Sequence, residues 1–412
     1  MNATRNVFVL ILSVMILQIA GAILNMLTPM GLEAMGAGPA VIGLIAALYA
    51  AGFMFGAWTA PRVLSQIGNI RLFAAAAAVS AAGSVLLSFG HSELFWAVIR
   101  IIQGIALAYM FTSAESWLGE AVPAPSRGNV MGIYHVASKA ALMVGPFFVA
   151  GLSPLDSRSY SWAALFLALA LVPVCVTRQK EPPPPDRDAM SLRQLIKLAP
   201  AAVIGATLAG VINTGFQALL PVYFESYALA GGGTAAVAIA LAAASFGGLV
   251  LQWPAGMLSD RIERRVVISG MCAISGLAAF AIAALGALLG EIGTLVLLGL
   301  WGAGSLSFYG LCVAHAIDRT QTHQIPSVMA GILFVWAAGS IVGPLAFGFA
   351  MRLYGRAGLF GLAGGLLILL SALMLWRVRQ RAAPAEKNQE DWAPILPTPL
   401  ASVEIDPRAP ES

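Results

Sequence analysis

Gly256-Met257-Leu258-Ser259-Asp260-Arg261-Ile262-Glu263-Arg264-Arg265 packs arginines and acids side by side between two long apolar runs. Charge this dense stands out in a chain of 412 residues that is 59% hydrophobic and 10% charged. The flanking residues 234–257 and 266–288 are each long enough to cross a bilayer core as a helix, which takes about 20 apolar residues. The run therefore reads as a tight turn between two spans. Gly256 lets two helix ends approach closely, and Asp260 can accept hydrogen bonds from arginine or backbone donors at the turn. Two roles stay open on the run alone: a knot that latches helix ends together, or positive charges that hold a loop in the cytoplasm.

Outward from that turn, similar apolar runs recur along the chain, and the mean hydropathy is +0.84. The reading is an all-α integral membrane protein with twelve transmembrane helices, at 7–27, 40–61, 72–90, 94–118, 130–152, 161–177, 199–224, 234–257, 266–288, 292–316, 327–351 and 357–376. The first segment has Arg5 ahead of an apolar stretch, as a signal peptide does. It is long, lacks a small-residue cleavage site and opens a series of spans, so it is read as retained.

Lysine and arginine set the orientation. With both termini cytoplasmic, the inner side collects Arg5, Arg62, Arg71, Arg127, the basic residues of 178–197, Arg261, Arg264, Arg265, Arg319 and the basic residues from Arg377 onward. The outer side keeps Arg158, Arg352 and Arg356. The pI near 9.1 is thus a topology signal, and no nucleic-acid partner is implied. Cys175, Cys272 and Cys312 fall within apolar spans at no paired spacing, so neither a disulfide framework nor a zinc site is expected.

Two six-helix, pseudo-symmetric halves, 1–177 and 199–378, are separated by 178–198, where Pro182 to Pro185 and mixed charges predict a stiff, solvated linker. Leu27-Thr28-Pro29-Met30-Gly31-Leu32-Glu33 matches Leu219-Leu220-Pro221-Val222-Tyr223-Phe224-Glu225 at an offset of 192. Val130-Met131 with Gly145-Pro146 matches Val328-Met329 with Gly343-Pro344 at an offset of 198. Residues 379–412 are Pro-rich and acidic and are expected to be a disordered cytoplasmic tail.

The pattern G-x-x-x-D-R-x-x-R-R between two spans resembles the loop signature of the major facilitator superfamily of secondary transporters. Arg100-Ile101-Ile102-Gln103-Gly104 resembles that family's R-x-x-Q-G motif, and Gly339-Ser340-Ile341-Val342-Gly343-Pro344 its G-x-x-x-G-P motif. Glu115-Ser116-Trp117-Leu118 and Ala314-His315-Ala316-Ile317-Asp318-Arg319 are similar to a bacterial branch, the YcaD type. The first-half loop departs from the signature, with Pro61 and Ser65 where glycine and aspartate belong, which puts an N-terminal latch in doubt. The resemblance implies parallel six-helix repeats with substrate bound near the midplane between them. It also implies a multi-pass protein of a bacterial inner membrane.

An ionisable side chain in a span costs about 2.5–3.5 kcal/mol on insertion scales, so it faces a cavity or a partner. Arg100, with Gln103 along the same face, either binds an anion or tunes a neighbouring acid, or else reaches back to the interface. Lys139 lies near the middle of the fifth span, with His135 one turn earlier. That pair either binds an anionic group or takes part in proton coupling, or is a structural lysine held by carbonyls and water. Asn25, Asn213 and Gln217 line a cavity or bond helix to helix. Tyr49 and Trp336 supply cavity walls or ordinary packing. Glu33 and Glu225 on the outer side, with Glu115, Glu120, Arg127 and Asp318 on the inner side, read as gating residues beside Gly256, Asp260, Arg261, Arg264 and Arg265. Plain interfacial solvation is the competing account.

No G-x-x-x-x-G-K-[ST] run supports ATP as an energy source. His315 with Asp318 is the one pair that tempts a hydrolase reading, and no enzyme activity, metal or cofactor is expected. The expected function is secondary transport of a small solute by alternating access, proton-coupled and leaning to efflux. Proton-coupled uptake, or a sensor that binds without transporting, are the alternatives. The expected partners are a small-molecule substrate, protons and the lipid bilayer, with the chain a monomer.

Overall fold

The computed structural model describes residues 2–90, 92–121, 127–176, 192–225, 231–286, 288, 290–321 and 324–380, with the backbone alone at 2–6, 119–121, 127–129, 131, 176 and 326. Most of the expected linker, the tail from 381 and the side chains of Glu120 and Arg127 lie outside the described residues. The helices are α1 (Asn2–Ala34), α2 (Pro39–Ile67), α3 (Asn69–Leu87), α4 (Glu93–Ala121), α5 (Arg127–Val144), α6 (Ser157–Val176) and α7 (Leu192–Leu198). They continue with α8 (Pro200–Phe224), α9 (Gly233–Arg261), α10 (Arg264–Leu285), α11 (Gly290–Ser305), α12 (Phe308–Ile317), α13 (Ile325–Tyr354) and α14 (Ala357–Gln380). Twelve segments are long and apolar enough to span a membrane, with α11 and α12 forming one of them and α7 none.

Several boundaries correct the sequence reading. The first span extends well beyond 7–27, because Pro29 does not stop α1. The Thr28 hydroxyl donates to the Leu24 carbonyl at 2.6 Å, side-chain support of the kind that lets a membrane helix carry proline. The fifth span turns into a 3-10 segment at Gly145–Val149, where Pro146 cannot donate to an α-ladder. The tenth, expected as one helix, breaks between Ser305 and Ser307. Their hydroxyls donate to Asn213 Oδ1 and to the Gly248 carbonyl on neighbouring helices. The charged run is the tight turn expected, but shorter than the spans 234–257 and 266–288 left room for: α9 continues through Arg261, and only Ile262 and Glu263 make the turn into α10. Part of the expected solvated linker is α7, whose Leu195 is buried close to Gly331 of α13.

Lipid tails offer no hydrophobic contrast between helices, so small residues and close van der Waals contact hold the bundle. A Cβ added at Gly339 or Gly343 of α13 would lie 2.2 Å from the carbonyl oxygens of Thr207 or Val211 on α8. Across the two halves, a Cβ at Gly43 of α2 would meet the Pro344 carbonyl oxygen at 2.2 Å. The face that carries the 256–265 turn is called the latch face below, and that crossing lies toward the face opposite it. On the same opposite side, Gly151 N–H donates to Thr234 Oγ1 at 2.9 Å, and that hydroxyl donates to the Leu152 carbonyl at 2.9 Å. The halves therefore close on each other at the face away from the latch.

Candidate transport pathway and gates

Arg100 sits on α4 with 4% of its surface exposed, inside the first half. Its Nη1 donates to Gln103 Oε1 at 3.0 Å, one turn along the same helix, and its Nη2 donates to Asn25 Oδ1 of α1 at 3.1 Å. Gln103 Nε2 passes the chain to α3, donating to the Ser80 carbonyl and Ser84 Oγ at 3.3 Å each. The guanidinium lies 4.0 Å from the centre of the Tyr49 ring on α2, a cation–π contact. Glycines explain how Tyr49 gets there. A Cβ at Gly104 would fall 2.2 Å from the Tyr49 carbonyl oxygen, and one at Gly52 2.3 Å from that of Ile101, so α2 and α4 touch at backbone level. The arginine thus has neutral amides and an aromatic face around it, and no ion pair with a carboxylate among the described residues.

Lys139 of α5 donates across the interface to Gln252 Oε1 of α9, joining the two halves within the spans through a cation and a neutral amide. His135, one turn earlier, is buried. Beside it the Tyr134 hydroxyl donates to Glu115 Oε1 of α4 at 2.9 Å, so Glu115 is engaged within its own half. In the second half, Asn213 accepts from Ser305 Oγ at 2.9 Å and takes the helix-to-helix role. Gln217 is exposed, as is Asn25, its counterpart in the repeat. Trp336 is half-buried, edge-on to Tyr309 at 6.2 Å.

At the latch, Arg264 Nε and Nη2 donate to the two Asp318 carboxylate oxygens at 2.6 and 3.3 Å. Both side chains of this fork are 2% exposed. Arg264 Nη1 donates to Ser259 Oγ and Asp260 Oδ1 at 3.0 Å each. Arg265 pairs with Glu263 and donates to the Arg377 carbonyl at 2.7 Å, drawing in the end of α14. Gly256 is buried and Arg261 exposed. At the opposite face, Glu33 in the last turn of α1 lies 3.8 Å from Arg356, and Glu225 caps the end of α8.

The Major Facilitator Superfamily model matches residues 10–330 and 233–407. The chain belongs to that family. The superfamily chain is similar to an uncharacterized MFS-type transporter, YcaD, of Salmonella typhi, with 24% identity over 383 residues that cover 92% of this chain and 98% of the relative. An uncharacterized MFS-type transporter of Enterobacter sp. (strain 638) matches at 23% over 384 residues, covering 92% and 98%. Among solved structures, the nucleoside transporter NupG superposes with a TM-score of 0.71 at 12% identity, covering 92% of this chain and 100% of that one. A bacterial homolog of the human lysosomal transporter Spinster, in an inward-facing and unoccupied conformation, gives 0.68 at 15%, covering 93% and 99%. At such identities the structures speak for the fold alone: twelve membrane spans in the superfamily's arrangement.

Within this superfamily fold, Asn25, Tyr49, Arg100 and Gln103 form one cluster. Asp318, which the sequence offered beside His315, pairs with Arg264. Gln252, the partner of Lys139, escaped the sequence reading. A lone amide five residues before Met257, in an otherwise apolar span, was the signal available.

Proposed function

We propose that this membrane transporter moves a small solute by alternating access, coupled to protons and leaning to efflux, as a monomer of a bacterial inner membrane. The observation that carries the reading is Lys139, a cation within a span whose one described hydrogen bond runs across the halves to a neutral amide. A single bond of that kind can be exchanged for a solute or broken as the halves rock. The latch face is taken as cytoplasmic because lysine and arginine gather there, with both termini, the 178–198 linker and the 379–412 tail on that side. In this orientation the closed end is the outer one. Gly339–Pro344 supports the lean to efflux by its likeness to an antiporter signature.

The test is transport by the purified protein in proteoliposomes, screened against a metabolite and drug library under an imposed pH gradient. Flux of at least one compound is expected to need the gradient and to collapse with a proton ionophore. Flux that continues unchanged without a gradient would remove protons from the account. With a substrate in hand, Lys139→Met is expected to weaken affinity about 10-fold to 150-fold, the worth of a charged hydrogen bond. Unchanged affinity beside a lowered melting temperature would make Lys139 a structural residue.

A further inference from the structure

We propose that the solute is a small organic oxyanion, which Arg100 holds through the Nε–Nη2 edge of its guanidinium beside a cavity between the halves. The same chain shows what that edge does elsewhere. At Arg264 it is Nε and Nη2 that donate to the two oxygens of Asp318, a side-on fork that matches the geometry of a carboxylate. At Arg100 the edge is only half used. Nη2 donates to Asn25 Oδ1, a neutral amide oxygen, while the buried Nε has no hydrogen-bond partner among the described residues. Tyr49 covers the guanidinium from one face and Gln103 takes Nη1, so the Nε–Nη2 edge is the part that can meet a ligand.

Burial shows where that edge opens. Asn25 is the one exposed residue of α1 between Ser13 and Glu33, and Gln217, its equivalent in the repeat, is the one exposed residue of α8. A polar side chain exposed alone in mid-span faces a water-filled cavity, because lipid would leave it without a hydrogen-bonding partner. Arg100 is therefore one hydrogen bond from such a cavity. The charge of the interior points the same way. Of the acidic residues, lysines, arginines and histidines in the twelve spans, only Arg100 and Lys139 stand seven or more residues from both ends. Both are cations bonded to neutral amides, and the carboxylates of the spans stay near the ends. In a low-dielectric interior such a pair attracts an anion and repels a cation. An oxyanion that displaces Asn25 Oδ1 from Nη2 takes Nε as well, and brings the counter-charge that no residue of the spans supplies at that depth.

The inference rests on the solute-transport reading above and names the class of its substrate. It is tested by thermal melting of the full chain in lipid nanodiscs against a library of carboxylic, sulfonic and phosphoric acids, each beside its neutral ester. Some acids should raise the melting temperature saturably and bind at least ~10-fold more tightly than their esters, the lower bound for a charged hydrogen bond. Arg100→Gln should weaken those acids about 10-fold to 150-fold, and Arg100→Lys should recover only part, since an ammonium cannot make the fork. Asn25→Asp leaves the arginine in place. It sets a carboxylate on the fork from within, as Asp318 does for Arg264, so it should melt at or above the parent yet lose the acids. Esters that bind as tightly as their acids, or no acid bound at millimolar concentration, would overturn the site. So would an Asn25→Asp variant that holds the acids as the parent does, or that melts well below it. An acid that binds as described but never crosses the proteoliposome membrane would keep the site and remove the transport reading. Proton-driven flux of a cation or a neutral compound would do the reverse.

Discussion

The two helix-to-helix turns at the latch face occupy matching places in the halves, with Pro61, Ser65 and Asn69 standing where Gly256, Asp260 and Arg264 stand at an offset of 195. They are built on different principles. Between α2 and α3 one residue, Gly68, turns the chain with φ of 82°, a conformation that glycine adopts freely. Between α9 and α10 the turn uses Ile262 at φ −127° and Glu263 at φ −54°, ordinary conformations that do not by themselves fix the angle. Side chains fix it there, through Arg264 on Asp318 and Arg265 on the Arg377 carbonyl. Where backbone geometry makes the turn, the signature's glycine and aspartate can be lost. Where it does not, the charges tie the turn to two further helices.

Arg264 offers the largest break in that comparison. Arg264→Met strands Asp318, which is 2% exposed, as a buried charge without its fork, and should cost about 3–5 kcal/mol of stability. Thermal unfolding of the purified protein reads this, and Arg264→Met with Asp318→Leu should recover part of the loss. A single variant that melts with the parent would mean that the fork contributes nothing. Gly68→Ala probes the other turn. A side chain at φ 82° and ψ 165° is strained by about 1–3 kcal/mol, whereas Glu263→Ala carries no backbone strain. Equal melting of Gly68→Ala and the parent would show that the turn can relax, and the contrast between the loops would fail.

The twelve spans were legible because apolar runs of bilayer length leave few other assignments. Their interruptions were not. Ser305 and Ser307 break the tenth span by bonding to α8 and α9, and nothing local marks those serines apart from Ser275, which stays inside α10. Arg100 and Gln103 could be paired from spacing alone, since residues three apart share a helix face. That Tyr49 would lie over the guanidinium depends on the close crossing at Gly52 and Gly104, which is a property of two helices together. Glu33 and Glu225 were legible as equivalents in the repeat.

The smallest expected effect is also the sharpest test of why the first loop lacks its aspartate. Asp260 lies in the last turn of α9, where the partial negative charge of a helix end disfavours a carboxylate. Arg264 offsets this from 3.0 Å, four residues on. At the matching place, Ser65 donates instead to the Arg62 carbonyl at 2.8 Å, and four residues on stands Asn69, buried and uncharged. Ser65→Asp alone should therefore lose about 0.3–1 kcal/mol, because it adds an acid to the C-terminal turn of α2 without the arginine that accompanies Asp260. In an Asn69→Arg background the same substitution should cost less, or become favourable, since the i,i+4 partner is restored. The coupling between the two changes, read as the difference of their melting shifts in a double-mutant cycle, is the quantity to measure. A cycle with no coupling would mean that an aspartate and an arginine at these two places act independently in the first loop.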